Sequence, residues 1–166
     1  MNKMVLTLLL AAVVSNPVEA QSLLDKAKRD DTATVRTGDP DMDAAMRKAR
    51  ATASEFLVLA RAPKPSMKDF AVKLAIPYAE GNEYLWLRIV EIKGDRIIDE
   101  IRNTPRYATN VKYGQKIIFA EKDISDWKYM DGDKIKGNFT ACALLKRETK
   151  RNAKAFMKEY GLECEL

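Results

Sequence analysis

Residues 83–107, EYLWLRIVEIKGDRIIDEIRNTPRY, and 113–140, YGQKIIFAEKDISDWKYMDGDKIKGNFT, decide the fold. Apolar side chains alternate with polar ones in short runs, as in half-buried strands. Lys93-Gly94-Asp95 and Asp131-Gly132-Asp133 separate pairs of such runs, which is hairpin chemistry. The runs predict strands over Tyr84–Ile92, Arg96–Ile101, Lys116–Ala120, Asp126–Met130 and Lys134–Phe139. Upstream, Phe70, Val72, Leu74 and Ile76 alternate with Ala71, Lys73 and Ala75, predicting one more strand, with Pro77 at its end. Glu80-Gly81-Asn82-Glu83 reads as a turn.

Helices flank the strands. Asp39 is a good N-cap and Pro40 suits the first helical position. Met42, Ala45, Met46, Ala49, Ala53, Phe56, Leu57 and Ala60 then recur at helical spacing and predict one helix up to Ala62-Pro63. After Thr140 the period changes again, and Ala141, Leu144, Leu145, Phe156, Met157 and Tyr160 mark one or two helices ending at Gly161. The predicted fold is α+β: an antiparallel sheet of five or six short strands, strongly bent or partly barrel-like, flanked by an N-terminal and a C-terminal helix.

The N-terminus reads as an export signal. Lys3 precedes the apolar run Val5–Val14, and small residues at Val18 and Ala20 mark a cleavage site after Ala20. The run is about half the ~20 residues that a membrane span needs. Residues 21–38 are polar, with Leu23 and Leu24 as a lone apolar pair, and read as a linker or loosely ordered arm. Residues 39–166 form a single domain. The expected location is periplasmic or secreted. There Cys142 and Cys164 are free to pair as a disulfide, two buried thiols being the alternative.

Charge and composition narrow the chemistry. The net charge is +5, and loss of Lys3 and Glu19 with the signal leaves it there. Mild positive charge on an exported chain points to an anionic envelope component or an acidic protein partner; export argues against nucleic acid. The chain has no histidine, which removes the Ser-His-Asp and Cys-His nucleophile systems and histidine-ligated zinc. No glycine-rich phosphate loop is present, and Asp123, Asp126, Asp131 and Asp133 miss calcium-loop spacing. No cofactor or metal is expected.

The remaining carboxylates, Glu80, Glu83, Asp95, Asp99, Glu100, Asp123, Asp126, Asp131 and Asp133, sit near predicted turns. A converging pair of them would make the chain a carboxylate-dependent hydrolase of an envelope polymer, the alternative function. The favoured function is a non-enzymatic exported binding module: an inhibitor, an immunity-type protein or an envelope accessory. Its expected contact residues are Lys146, Arg147, Lys150, Arg151, Lys154 and Lys158, a basic stripe on the last helix. Trp86 and Trp127 are expected in the core rather than on a recognition surface.

The order and spacing of E-x-x-W-L-x-I (Glu83, Trp86, Leu87, Ile89), I-x-G-D-x-I (Ile92, Gly94, Asp95, Ile97) and N-x-P (Asn103, Pro105) carry a family resemblance. It continues through Y-G-x-x-I-x-F (Tyr113, Gly114, Ile117, Phe119), D-W-x-Y (Asp126, Trp127, Tyr129) and G-x-F-T-x-x-x-L-L (Gly137, Phe139, Thr140, Leu144, Leu145). Over about residues 41–150 the chain resembles the bacterial domain of unknown function 2314, the YegJ-like family. The resemblance implies a small bacterial α+β domain with no established activity. The acidic residue usual after the Tyr-Gly turn is Gln115 here.

Overall fold

The computed structural model describes residues 22–28 and 38–166. The segment read as an export signal, and residues 29–37 of the polar arm, lie outside the described residues. Within the arm, Leu23–Lys28 form a short helix, α1.

The helix expected from Asp39 to Ala60 is two helices, α2 (Pro40–Ala51) and α3 (Ala53–Arg61). Asp39 caps α2 as predicted, its carboxylate accepting the Met42 N–H at 3.0 Å. The break falls at Thr52, whose backbone leaves helical geometry. Local and distant bonds meet there, and Thr52 Oγ1 lies 3.0 Å from Lys48 O and 3.2 Å from Ala49 O. The indole Nε1–H of Trp127 donates to Ala49 O at 3.0 Å and meets Thr52 Oγ1 at 3.2 Å. The Ala49 carbonyl at the end of α2 thus accepts the Thr52 cap N–H at 3.2 Å and the indole from outside the helix.

Six strands follow: β1 (Met67–Tyr78), β2 (Gly81–Lys93), β3 (Arg96–Ile101), β4 (Lys116–Phe119), β5 (Ile124–Asp131) and β6 (Lys134–Gly137). They form one antiparallel sheet in the order β4-β3-β2-β1-β5-β6, open rather than closed into a barrel. β1 and β2 are longer than the sequence pattern suggested and form the centre. The side chains of Val72, Leu74, Leu85, Leu87, Ile97, Ile101 and Ile124 lie beneath Phe56 and Leu57 of α3 and make the main core. Trp127 joins it by stacking on Phe56, ring centroids 4.9 Å apart, which agrees with the core placement expected for this residue.

The chain closes with α4 (Phe139–Leu145) and α5 (Lys150–Tyr160). They hold a second, smaller core of Leu145, Ala153, Phe156 and Leu162, against which Leu23 and Leu24 of α1 pack. A Cys142–Cys164 disulfide, with Cα atoms 5.5 Å apart, ties α4 to the tail beyond α5. Gly161 is forced to be glycine. Its φ is +63° and an added Cβ would lie 2.0 Å from Asp133 O. The close approach lets Ile135 N–H donate to Gly161 O at 2.8 Å, joining the tail to β6.

Candidate binding face of the sheet

The sheet face away from α3 carries a different set of residues. Cross-strand register sets Trp86 beside Lys73 and Lys73 beside Asp126; the next row is Arg88, Ala71 and Lys128. Tyr84 and Ile118 point the same way and are exposed, Ile118 at 59%. Trp86 therefore stands half-buried on the face away from α3, not in the core where it was expected. Alternation of side chains is the reason: Leu85 and Leu87 take the core positions on either side of it.

Two ammonium groups lie over the Trp86 ring, Lys73 Nζ at 4.6 Å and Lys128 Nζ at 4.4 Å from its centroid. The ring quadrupole stabilises both. Lys73 is further held by Thr140 Oγ1, which accepts from Nζ at 2.6 Å. Thr140 Oγ1–H donates in turn to Asp126 Oδ2 at 2.6 Å. Asp126 is fully buried and accepts the N–H groups of Trp127, Phe139 and Thr140 at 2.8, 3.2 and 2.9 Å. It serves α4 as a cap delivered from β5, satisfying donors at the helix start and stabilised by the dipole there.

Burial lowers the Lys73 ammonium to about 8, against the attraction of Asp126 and with the help of Lys128 nearby. Burial also pulls Lys128 down, with Asp126 and Asp69 opposing. Two partly desolvated cations on one aromatic plane make a place where an anion gains charge-assisted hydrogen bonds and a flat apolar floor.

The end of this face is built by the loop between β3 and β4. Asn103 Oδ1 accepts Trp86 N–H at 2.8 Å, and Arg102 N–H donates to Trp86 O at 2.9 Å, so Asn103 replaces a strand partner where β3 ends. Glu83, buried rather than placed in a turn, accepts the N–H groups of Arg106, Tyr107 and Ala108 at 2.9, 2.9 and 2.8 Å. Burial pushes its carboxyl up, but the three N–H bonds outweigh this and hold it below the usual range. Gln115 is part of the same loop: its side chain accepts Lys112 N–H at 3.1 Å and its backbone O accepts Ile101 N–H at 3.0 Å.

Three of the carboxylates read as turn residues are thus buried: Glu83, Asp126 and Asp99. They sit on three different strands. Glu83 and Asp126 are bonded to separate backbone segments, while neither oxygen of Asp99 has a partner. Asp99 shares the core face with Ile97 and Ile101, opposite Ile89 and Ile117. Burial raises its carboxyl to about 8.

The basic stripe is divided. Lys146 caps α4, Thr149 starts a new helix by accepting Asn152 N–H at 3.2 Å, and Lys150, Arg151, Lys154 and Lys158 belong to α5. Lys146 therefore does not stack on Lys150, nor Arg147 on Arg151, as a single helix would require. Arg147 instead pairs with Asp39 and Asp41 at the start of α2. All six side chains are exposed.

The lysine pair was missed in the sequence because it depends on which strands are neighbours. Lys73 and Lys128 meet only through the β1–β5 pairing. The available signal was parity, which places Lys73, Trp86 and Lys128 on polar-facing positions. Among the described residues no group of three or more Cys, Asp or Glu is arranged to hold a metal ion, and no helix is long and apolar enough to cross a membrane.

Residues 39–164 match the family described as "Uncharacterized protein conserved in bacteria (DUF2314)". The chain is also 37% identical over 123 residues to "Uncharacterized protein YegJ" of Escherichia coli (strain K12), covering 72% of this chain and 79% of the relative. No solved structure matches.

Proposed function

The chain belongs to the DUF2314 family, and from that premise we propose that it is an exported, non-enzymatic binding module for an anionic partner, either an acidic protein or an envelope component. The contact surface in this reading is the sheet face away from α3, around Trp86, Lys73 and Lys128. One observation carries it: Lys73 and Lys128 flank the same ring of Trp86 on a face that α3 does not cover. The exposed basic residues Lys146, Lys150, Arg151, Lys154 and Lys158 add long-range attraction toward this face, and that effect is screened by salt over about 8–10 Å. The inhibitor, immunity-type and envelope-accessory roles are all compatible with such a surface.

The test is capture from envelope extract by immobilised mature protein. Capture should weaken with added salt and be lost in Trp86→Ala and Lys128→Met chains that keep their melting points. Capture should also fall as pH rises through about 8, where Lys73 gives up its proton, and Lys73→Arg should remove that fall because arginine stays charged. Capture unaffected by all three substitutions overturns the reading. Export itself is checked by intact mass: cleavage after Ala20 leaves a chain beginning at Gln21.

A further inference from the structure

α1 is six residues long, too short to keep helical shape alone in water. The α4–α5 unit holds it there. Leu23 and Leu24 pack on the small core of Leu145, Ala153, Phe156 and Leu162, and Leu23 N–H donates to Glu148 Oε1 at 2.8 Å. The charges of α1 do not suit this seat. Its last turn carries Lys26 and Lys28, while α5 presents Lys150, Arg151, Lys154 and Lys158 to solvent, none of them ion-paired among the described residues. With Asp25 counted against Lys26 and Lys28, α1 keeps a net positive charge, the same sign as the exposed cations of α5.

We propose that the apolar seat formed by α4 and α5 is a docking site for an acidic amphipathic helix of a partner protein, one presenting adjacent leucines, and that α1 is its intramolecular placeholder. Leu23 and Leu24 show which side chains the seat accepts. The cations of α5, which have no ion pair among the described residues, select glutamates or aspartates around them, because opposite charge at the rim of an apolar contact speeds encounter and rejects like-charged competitors. A short segment bound by two leucines and one hydrogen bond is displaced by a longer helix that adds those ion pairs. The apolar residues of the seat are distinct from Lys73, Trp86 and Lys128, although α4 reaches the sheet face through Thr140, and the Trp86→Ala chain tells the two sites apart.

The probe is a labelled synthetic helical peptide with adjacent leucines on one face and glutamates elsewhere, titrated by fluorescence anisotropy into the full mature chain. Saturable binding is expected. It should tighten on the order of ten-fold in a Leu23→Ser/Leu24→Ser chain, since apparent affinity scales with the fraction of molecules whose seat is open. Lys154→Glu/Lys158→Glu should weaken it on the order of ten-fold, and the same peptide with lysines in place of glutamates should not bind. If the leucine variant melts early, Glu148→Ala, which removes the tie to Leu23 N–H, must give the tightening instead. No tightening in either variant overturns the placeholder role. Equal binding of the lysine peptide overturns the acidic partner. Loss of peptide binding in Trp86→Ala places the peptide on the sheet face and overturns the site.

Discussion

Asp99 carries an acid group into the main core without a single hydrogen-bond partner. Burial raises its carboxyl to about 8, whereas in the unfolded chain it ionises near the usual value of about 4. Between those two values the folded state binds more protons than the unfolded one, so stability falls as pH rises. It is whole below the unfolded value and its contribution is gone above about 8, at a limiting cost of about 1.4 kcal/mol per pH unit. Asp99→Asn, which cannot ionise, should flatten this slope and raise the melting point at pH 8 relative to the native chain; urea melts across the pH range check it. Glu83 has the opposite sign. Its carboxyl is held below the usual range, so its contribution is present above its unfolded value and lost as acid protonates it. Together the two groups put the stability maximum in the mildly acidic range. Asp99 was legible in principle, since Ile97, Asp99 and Ile101 share parity with the core. Its neighbourhood of glycine turns made it read as one more turn carboxylate.

Trp127 shows how one side chain shapes several elements. It stacks on Phe56, meets Phe139 edge-on at 5.3 Å and donates into the junction of α2 and α3. Trp127→Ala should cost about 3–5 kcal/mol, and Trp127→Phe, which keeps a ring but loses the N–H, about 1 kcal/mol. Trp86→Ala, on the face away from α3, should cost far less than the first. Chemical denaturation of the three variants orders them, and an equal loss for Trp86 and Trp127 would contradict the two placements. The loop between β3 and β4 depends similarly on Glu83. Glu83→Gln turns an amide N–H toward backbone N–H groups that need acceptors, so hydrogen exchange at Arg106, Tyr107 and Ala108 should quicken, equivalent to about 2 kcal/mol, while β1 and β2 amides stay protected. Local chemistry made the Asp39 cap, the Gly94 and Gly132 turns and the strand parities readable. The break at Thr52 was not readable, because threonine also sits inside helices, and the bonds gathered at the break come from Thr52 itself, on Lys48 O and Ala49 O, and from an indole 75 residues away.

The molecule has two cores of unequal size, and they should respond differently to reduction. The disulfide joins residues 22 apart, and closing such a loop contributes about 3 kcal/mol. Reduction should therefore release α5, the tail and α1 first, with the sheet and α3 retained. Limited proteolysis under reducing conditions should cut within residues 146–166 while leaving β1 to β4 intact; simultaneous loss of both regions would show the two cores to be one cooperative unit. The α+β class, the strand count and the terminal helices were legible from periodicity and turn residues. The order of strands was not, because alternation tells which side chains share a face and nothing about which strand lies alongside. The lysine pair over Trp86 depends wholly on that order.

The place of β1 at the middle of the sheet also imposes a schedule. β2 joins β1 across a tight turn, with Tyr78 paired to Gly81, and β3 and β4 follow in succession. β5 must then return past all of them to reach the other side of β1, pairing Ile124 with Leu74. Contacts so far apart in the chain are slow to form, because the entropy of closing the intervening loop is spent before they give anything back. Until β5 arrives, the Val72–Leu74 stretch waits with one edge bare, open to pairing with the wrong strand. The pairing of β5 with β1, and with it the approach of Lys128 to Trp86, is therefore expected late in folding.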